Sequence, residues 1–252
     1  TGEFPLFSAD EREAFLRRVA EWVAPLPVLA NISDIRPRVV ARLARAARES
    51  GCAAVAVLPP WYYALSQADL LEFFLRAAEA AAPLPVYLYN FPERVGTRIE
   101  PETVVAFADR ARLAGVKLSG GAWELHAEMM AVARARGFGV LTGWDTRLAD
   151  AMALGCDGCI SGLANFAAEP IVATFRAMQS GDPAAAAGPT AQLRGLAEAI
   201  QGLAFPHDVA AGMAARGFAV GEPKQALSES TRRRRDAASL VLRGRLLTMG
   251  LR

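Results

Sequence analysis

One phrase recurs along this chain: a short apolar or β-branched run ending on a small or polar residue, then a loop, then an amphipathic helix. Such repetition commits a chain to a parallel sheet, because each helix is the crossover that returns the next strand in the same direction. Six strand candidates carry the phrase: Pro27 to Asn31, Ala53 to Pro59, Pro85 to Asn90, Gly115 to Ser119, Gly139 to Gly143, and Gly158 to Gly162.

Helices fill the gaps. Ser8 and Glu11 make a capping box ahead of an apolar face of Phe15, Leu16, Val19, Trp22 and Val23, and Pro25 follows the helix end. Pro37 to Ser50 carries Val40, Leu43, Ala44 and Ala47 at helical spacing and stops at Gly51. Ser66 opens a helix whose inward residues are Leu70, Leu71, Phe73, Phe74 and Ala77, and Pro101 stands in the first turn of another. Trp123 to Arg136 and Thr146 to Leu154 also read as helical, and after Asn165 the pattern is helical throughout. The alanine-rich Pro183 to Pro189 is expected to join two of these late helices.

Six units fall short of a closed eight-stranded barrel, so two architectures stay open. One is an open doubly wound sheet, which the lack of a Gly-rich phosphate-cradling turn after any strand disfavours. The other, favoured by a first residue that is not Met, is a (βα)8 TIM barrel whose strand 1, helix 1 and strand 2 precede the numbered chain. The expected fold class is therefore α/β, a TIM barrel with a C-terminal helical extension. Residues 1–165 hold the barrel units, 166–252 the last barrel helix and the helical region, and both belong to one structural domain.

Composition narrows the function classes. With 252 residues, 53% hydrophobic and 21% charged, the chain can bury one large core. The net charge of +2 is spread out, and the one basic run, Arg232 to Arg235, has no interleaved aromatics. It reads as a solvated helix face, so no nucleic-acid partner is expected. No apolar stretch reaches the roughly 18 residues of a membrane span, so no membrane partner is expected and a cytoplasmic location is. Cys156 and Cys159 have the spacing of a metal or redox half-site, but residues three apart on a strand face opposite ways. They and Cys52 read as small core thiols, and with His126 and His207 isolated no metal site is expected.

Lysine is the informative residue. Of 28 basic residues only Lys117 and Lys224 are not arginine, so a surface cation in this chain is ordinarily arginine. Lys117 ends the strand Gly115-Val116-Lys117-Leu118-Ser119, at the rim where a barrel holds its active site. An imine requires an amine that can lose its proton, and guanidinium, with a pKa above about 12, cannot supply one. Two readings remain: a nucleophilic amine, or a lysine that pairs with a carboxylate or snorkels outward. Tyr89 ends the neighbouring strand and could shuttle protons or merely pack. Arg94, on the loop beyond, could clamp a carboxylate or stand exposed. Lys224 follows the last strand and reads as a surface or interface residue. Leu240, Val241, Leu242, Leu246 and Leu247 near the end suit either an oligomer face or intrachain packing.

Tyr89-Asn90-Phe91-Pro92-Glu93-Arg94-Val95-Gly96 resembles the Tyr-Asn-x-Pro loop of the dihydrodipicolinate synthase and N-acetylneuraminate lyase superfamily of class I aldolases. Gly115-Val116-Lys117 resembles its Schiff-base strand, in the right order and on consecutive strands. Thr1-Gly2-Glu3 resembles the end of its Gly-Thr-Thr-Gly-Glu motif, Pro60-Trp61-Tyr62-Tyr63 its Pro-Tyr-Tyr stretch, and Gly155 to Asn165 its strand-eight segment. The resemblance implies that Lys117 forms the imine, Tyr89 transfers protons, and Thr1 and Tyr62 complete a relay, Tyr62 from across a subunit boundary. It implies that Gly2 and Ile160 line a pyruvate pocket and that Arg94 meets the second substrate's carboxylate. It also implies a homodimer or homotetramer and no cofactor beyond the covalent imine.

Departures from the family pattern bear on the substrate. Leu118-Ser119 follows the lysine where the synthases carry Glu-Ala, and Trp144 stands where they commonly carry a carboxylate, so Ser119 and Trp144 are expected to shape the pocket. The expected partners are a 2-oxo acid and an aldehyde, and the expected reaction is aldol cleavage or condensation of a 2-keto-3-deoxy or 4-hydroxy-2-oxo acid. Dihydrodipicolinate synthesis from pyruvate and aspartate semialdehyde, which Arg94 favours, is the second hypothesis. A catalytically silent barrel kept for binding is the third.

Overall fold

The computed structural model describes residues 2–251, and the chain divides into two compact units. The first spans residues 7–142 and 154–157. It holds β1 (Leu29–Asn31), β2 (Ala54–Val57), β3 (Val86–Asn90), β4 (Leu113–Leu118) and β5 (Gly139–Thr142). All four pairings are parallel and between neighbours in sequence. α1 (Ala9–Trp22) precedes β1, and the crossovers are α2 (Pro37–Glu49), α3 (Gln67–Ala81), α4 (Pro92–Val95), α5 (Pro101–Ala108) and α6 (His126–Arg136). β-Branched strand residues and helix stripes meet in the core: Val55, Val57, Leu88, Val116 and Val140 from the sheet are buried, as are Leu43, Leu70, Phe74, Phe107 and Met129 from the helices. Phe74 and Phe107 meet edge to face at 6.3 Å between ring centres, in the range where aromatic pairs attract.

Five of these helix starts have a local cause. Ser8 and Glu11 form the full capping box, the serine accepting from Glu11 N–H at 3.2 Å and the glutamate from Ser8 N–H at 2.8 Å. Ser66 caps α3 through Asp69 N–H. Pro37, Pro92 and Pro101 stand at the first turns of α2, α4 and α5, where a missing N–H costs nothing. Arg12 of α1 is buried and donates to the carbonyls of Asn31 at 2.9 Å and Ser33 at 2.9 Å, tying that helix to the end of β1. Burial holds its pKa down to about 10, against the pull of Asp34 3.7 Å away.

The second unit spans residues 2–6, 143–153 and 158–251 among the described residues. It contains α7 (Leu148–Ala153), β6 (Gly158–Cys159), α8 (Ala168–Gln179), α9 (Pro183–Ala199), α10 (His207–Ala215) and α11 (Glu229–Thr248). Its core joins Leu148, Phe166, Ile171, Leu193, Leu196 and Leu242 with their neighbours. Leu242 and Leu246 are buried, so this part of the terminal leucine run packs within the chain, while Leu240, Val241 and Leu247 are exposed.

The six expected strands form among the described residues, five of them as one parallel α/β sheet, and no eight-stranded closure occurs among them. Two expectations need correction. Phe15 and Trp22 do not face a core: they are 59% and 64% exposed, because no described element covers that side of α1. Pro183 to Pro189 is no linker but the opening of α9. Alanine is the strongest helix former, Pro183 occupies the first turn, and Asp182 caps Ala185 N–H at 3.0 Å.

Candidate active site

The pairing of β3 with β4 places Tyr87 opposite Gly115 and Tyr89 opposite Lys117. Side chains alternate along a strand, so Val86, Leu88 and Asn90 turn to the buried side with Val116 and Leu118, while Tyr87, Tyr89 and Lys117 share the other face, half-buried. Gly115 is required by its neighbours: a Cβ there would stand 2.6 Å from the Tyr87 ring and 2.6 Å from the Gly139 carbonyl oxygen. Two residues further on, at the strand's C-terminal end, Lys117 Nζ lies 4.0 Å from the centre of the Tyr89 ring.

Ser119 joins this pair. Its N–H donates to the Asn90 carbonyl at 3.0 Å, and its hydroxyl reaches the Tyr89 phenol oxygen at 3.4 Å, the long end of hydrogen-bonding distance. Asn90 is fully buried and clamps the following loop through both arms of its amide, donating to Ile99 carbonyl at 2.8 Å and accepting Ile99 N–H at 3.1 Å. Within that loop Phe91 lies 5.9 Å from Tyr89 between ring centres, and the exposed Arg94 holds its guanidinium 5.7 Å from the Phe91 ring centre. The Glu93 carboxylate accepts the Gly121 N–H of the loop after β4.

The structure thus brings together Lys117, Tyr89 and Ser119, and places Arg94 one aromatic ring beyond them. Tyr62 stands apart: it is 85% exposed, has a φ of 85°, and makes its ring contact with Tyr63 at 4.9 Å. Gly2, Trp144 and Ile160 belong to the second unit. There Gly2 is exposed, Ile160 half-buried just past β6, and Trp144 carries the Arg147 guanidinium 5.8 Å from its ring centre. Thr1 lies outside the described residues. Asn90, Phe91 and Glu93 emerge as organisers of the site that sequence reasoning left without roles; the position of Asn90 at the end of a strand of alternating pattern was the available signal.

Cys52 and Cys156 are buried thiols and Cys159 a half-buried one. Burial, assisted by the Asp157 charge, pushes the Cys156 thiol up to about 11. His126 is buried, with Nδ1 2.7 Å from the Trp123 carbonyl and its ring against the indole of Trp123. Among the described residues no three His, Cys, Asp or Glu side chains are grouped to hold a metal ion. No described helix is long and apolar enough to cross a membrane.

The parallel α/β sheet sets a lysine, a tyrosine and a serine together at the strands' C-terminal ends, the rim where enzymes of this architecture carry their active sites. The sequence matches the dihydrodipicolinate synthetase family over residues 1–243, and the chain belongs to that family and is a lyase. It is 32% identical over 230 residues to the 4-hydroxy-tetrahydrodipicolinate synthase of Synechococcus, covering 90% of this chain and 75% of that one. Its fold is similar to that of YagE, a prophage protein of the dihydrodipicolinic acid synthase family from Escherichia coli solved in complex with pyruvate. That likeness has a TM-score of 0.87 and 29% identity, over 100% of this chain and 85% of the other. It is also similar to the 2-keto-3-deoxygluconate aldolase of Picrophilus torridus, with a TM-score of 0.77 and 25% identity, over 83% and 75% of the two chains.

Proposed function

We propose that this lyase forms an imine between Lys117 and pyruvate, and that it makes or breaks the bond between the pyruvate methyl carbon and an aldehyde carbon. The observation that carries the reading is the register pairing of Tyr89 with Lys117, which sets an amine 4.0 Å from a phenol ring at the sheet's C-terminal rim. The amine adds to the ketone carbon and water leaves. A methyl proton then passes to the Tyr89 oxygen as the phenol hands its own proton through the Ser119 hydroxyl to water, and the electrons of that C–H bond enter the enamine. The enamine carbon attacks the aldehyde, whose oxygen takes a proton from Tyr89 while the same relay restores the phenol, and water returns to release Lys117. Cleavage runs the same steps in reverse. The protonated imine is the electron sink, and no other cofactor is required.

The substrate reading is a 2-keto-3-deoxy or 4-hydroxy-2-oxo acid. Ser119 supports it: a hydroxyl beside Tyr89, in place of the alanine of the synthases, suits a substrate rich in hydroxyl groups. The likeness to a 2-keto-3-deoxygluconate aldolase agrees. Dihydrodipicolinate synthesis is the second reading, favoured by Arg94 held over Phe91 at the same rim, where a guanidinium can meet a carboxylate.

The six strands are read as strands three to eight of a (βα)8 barrel. The uncovered Phe15 and Trp22 on α1 are the apolar surface that a barrel's preceding helix would cover. Tyr62, exposed on a left-handed backbone, suits service to a neighbouring subunit in a homodimer or homotetramer. Borohydride reduction in the presence of pyruvate, followed by peptide mapping, tests the reading. An adduct on Lys117 supports it; no adduct, or one on Lys224, overturns it. Assays pairing pyruvate with aspartate semialdehyde, glyoxylate or glyceraldehyde separate the two substrate readings.

A further inference from the structure

We propose that Glu93 is a positioning residue, which seats the turn after β4 so that the Ser119 hydroxyl stays directed at Tyr89; this rests on the imine chemistry read above. Glu93 is not among the residues assigned to the reaction. It lies on α4, in the loop that follows Tyr89, and its carboxylate accepts the Gly121 N–H. A carboxylate on a backbone N–H is a charge-assisted hydrogen bond, stronger than a neutral one.

Two glycines record how closely the carboxylate sits. A Cβ on Gly120 would fall on the Glu93 carboxylate, at a residue whose φ of 58° already disfavours a side chain. A Cβ on Gly121 would stand 2.6 Å from Glu93 Oε1, and beyond its chain neighbours the described atoms within 4 Å of it belong to Glu93. The turn is therefore shaped around this one carboxylate. Ser119 is the residue immediately before it, held from the other side by its N–H to Asn90 carbonyl. Ser119 is held by its N–H on the Asn90 carbonyl and by the Ala122 N–H on its own carbonyl, and Glu93 seats the intervening Gly120–Gly121 turn from the segment that carries Tyr89. Loss of the Glu93 contact loosens that turn and with it the hydroxyl, whose bond to Tyr89 at 3.4 Å has no distance to spare.

The test separates imine formation from proton transfer. Exchange of the pyruvate methyl protons in D2O, followed by NMR, reads proton transfer without any aldehyde, while borohydride trapping reads imine formation in the same samples. Glu93→Ala is expected to trap pyruvate on Lys117 as the parent does, yet exchange methyl protons about tenfold more slowly, the scale of a small misalignment. Glu93→Gln keeps an acceptor oxygen and is expected to stay within about twofold of the parent. Gly121→Ala, which displaces the carboxylate, should match Glu93→Ala, and the double variant should be no slower than either, since the added methyl then meets nothing.

Unchanged exchange in Glu93→Ala, equal damage by Gln and Ala, or additive losses in the double variant would each overturn the proposal. Failure of the unmutated protein to trap pyruvate would instead overturn the imine reading, and the proposal with it. Equal thermal midpoints for Glu93→Gln and the parent are the check on folding.

Discussion

Tyr89 and Lys117 are register partners on adjacent parallel strands, and the lysine amine stands 4.0 Å from the centre of the tyrosine ring. Neither side chain reaches this position by a flexible loop: each is the penultimate residue of a strand, and the strand ladder fixes their separation. Lys117→Arg keeps the cation and the contact with the ring but removes the capacity for imine formation. It is expected to stay folded, to trap no pyruvate under borohydride, and to lose turnover by about a thousandfold or more. Retained turnover in Lys117→Arg would refute the role given to the amine.

Tyr89→Phe separates the phenol from the ring. The aromatic packing against Phe91 and beneath Lys117 survives, while the proton carrier and the Ser119 hydroxyl's partner are lost. Positioned acid–base groups contribute about 10²–10⁴-fold, so turnover and methyl-proton exchange should fall into that range. Imine trapping on Lys117 should persist, and its loss would show that the tyrosine acts before the proton-transfer step.

The same pair shows what the sequence discloses. All six strands, the capping box at Ser8 and Glu11, and the adjacency of Tyr89 and Lys117 follow from local pattern, because strand order repeats chain order and each signal spans a few residues. The exposure of Phe15 and Trp22 does not follow, since an apolar stripe specifies a face to be covered without saying what covers it. The alanine run from Pro183 failed for another reason: low complexity resembles a linker, yet its composition is that of a strong helix. Least legible were Arg12 reaching Ser33 and Glu93 reaching Gly121, contacts across 21 and 28 residues that only the folded chain brings together.

Gly115 carries the close packing beneath the lysine. Gly115→Ala would drive a methyl group into the Tyr87 ring and the Gly139 carbonyl at once. Overpacking of this kind costs about 1–3 kcal/mol, which should lower the thermal midpoint measured by calorimetry or fluorescence. Adding Tyr87→Ala should restore only part of the loss, because the Gly139 oxygen belongs to the backbone and stays. Full recovery in the double variant would show that the tyrosine ring alone demands the glycine.

Cys156 offers a pH-dependent test of burial. Its thiol is pushed up to about 11, first by desolvation and then by the Asp157 charge, from an ordinary value of 9.0. The raised value means that the folded chain favours the neutral thiol, so its contribution to stability is complete below pH 9 and is lost as pH rises through about 11. Only the thiolate reacts with iodoacetamide, so at pH 8 the folded protein should label at Cys156 about a hundredfold more slowly than an unfolded control. Mass spectrometry of peptides from native and denatured samples measures the ratio. Equal labelling of the two would mean that solvent reaches the sulfur and that the segment from Leu154 to Asp157 opens freely, contrary to the 4% exposure of this cysteine.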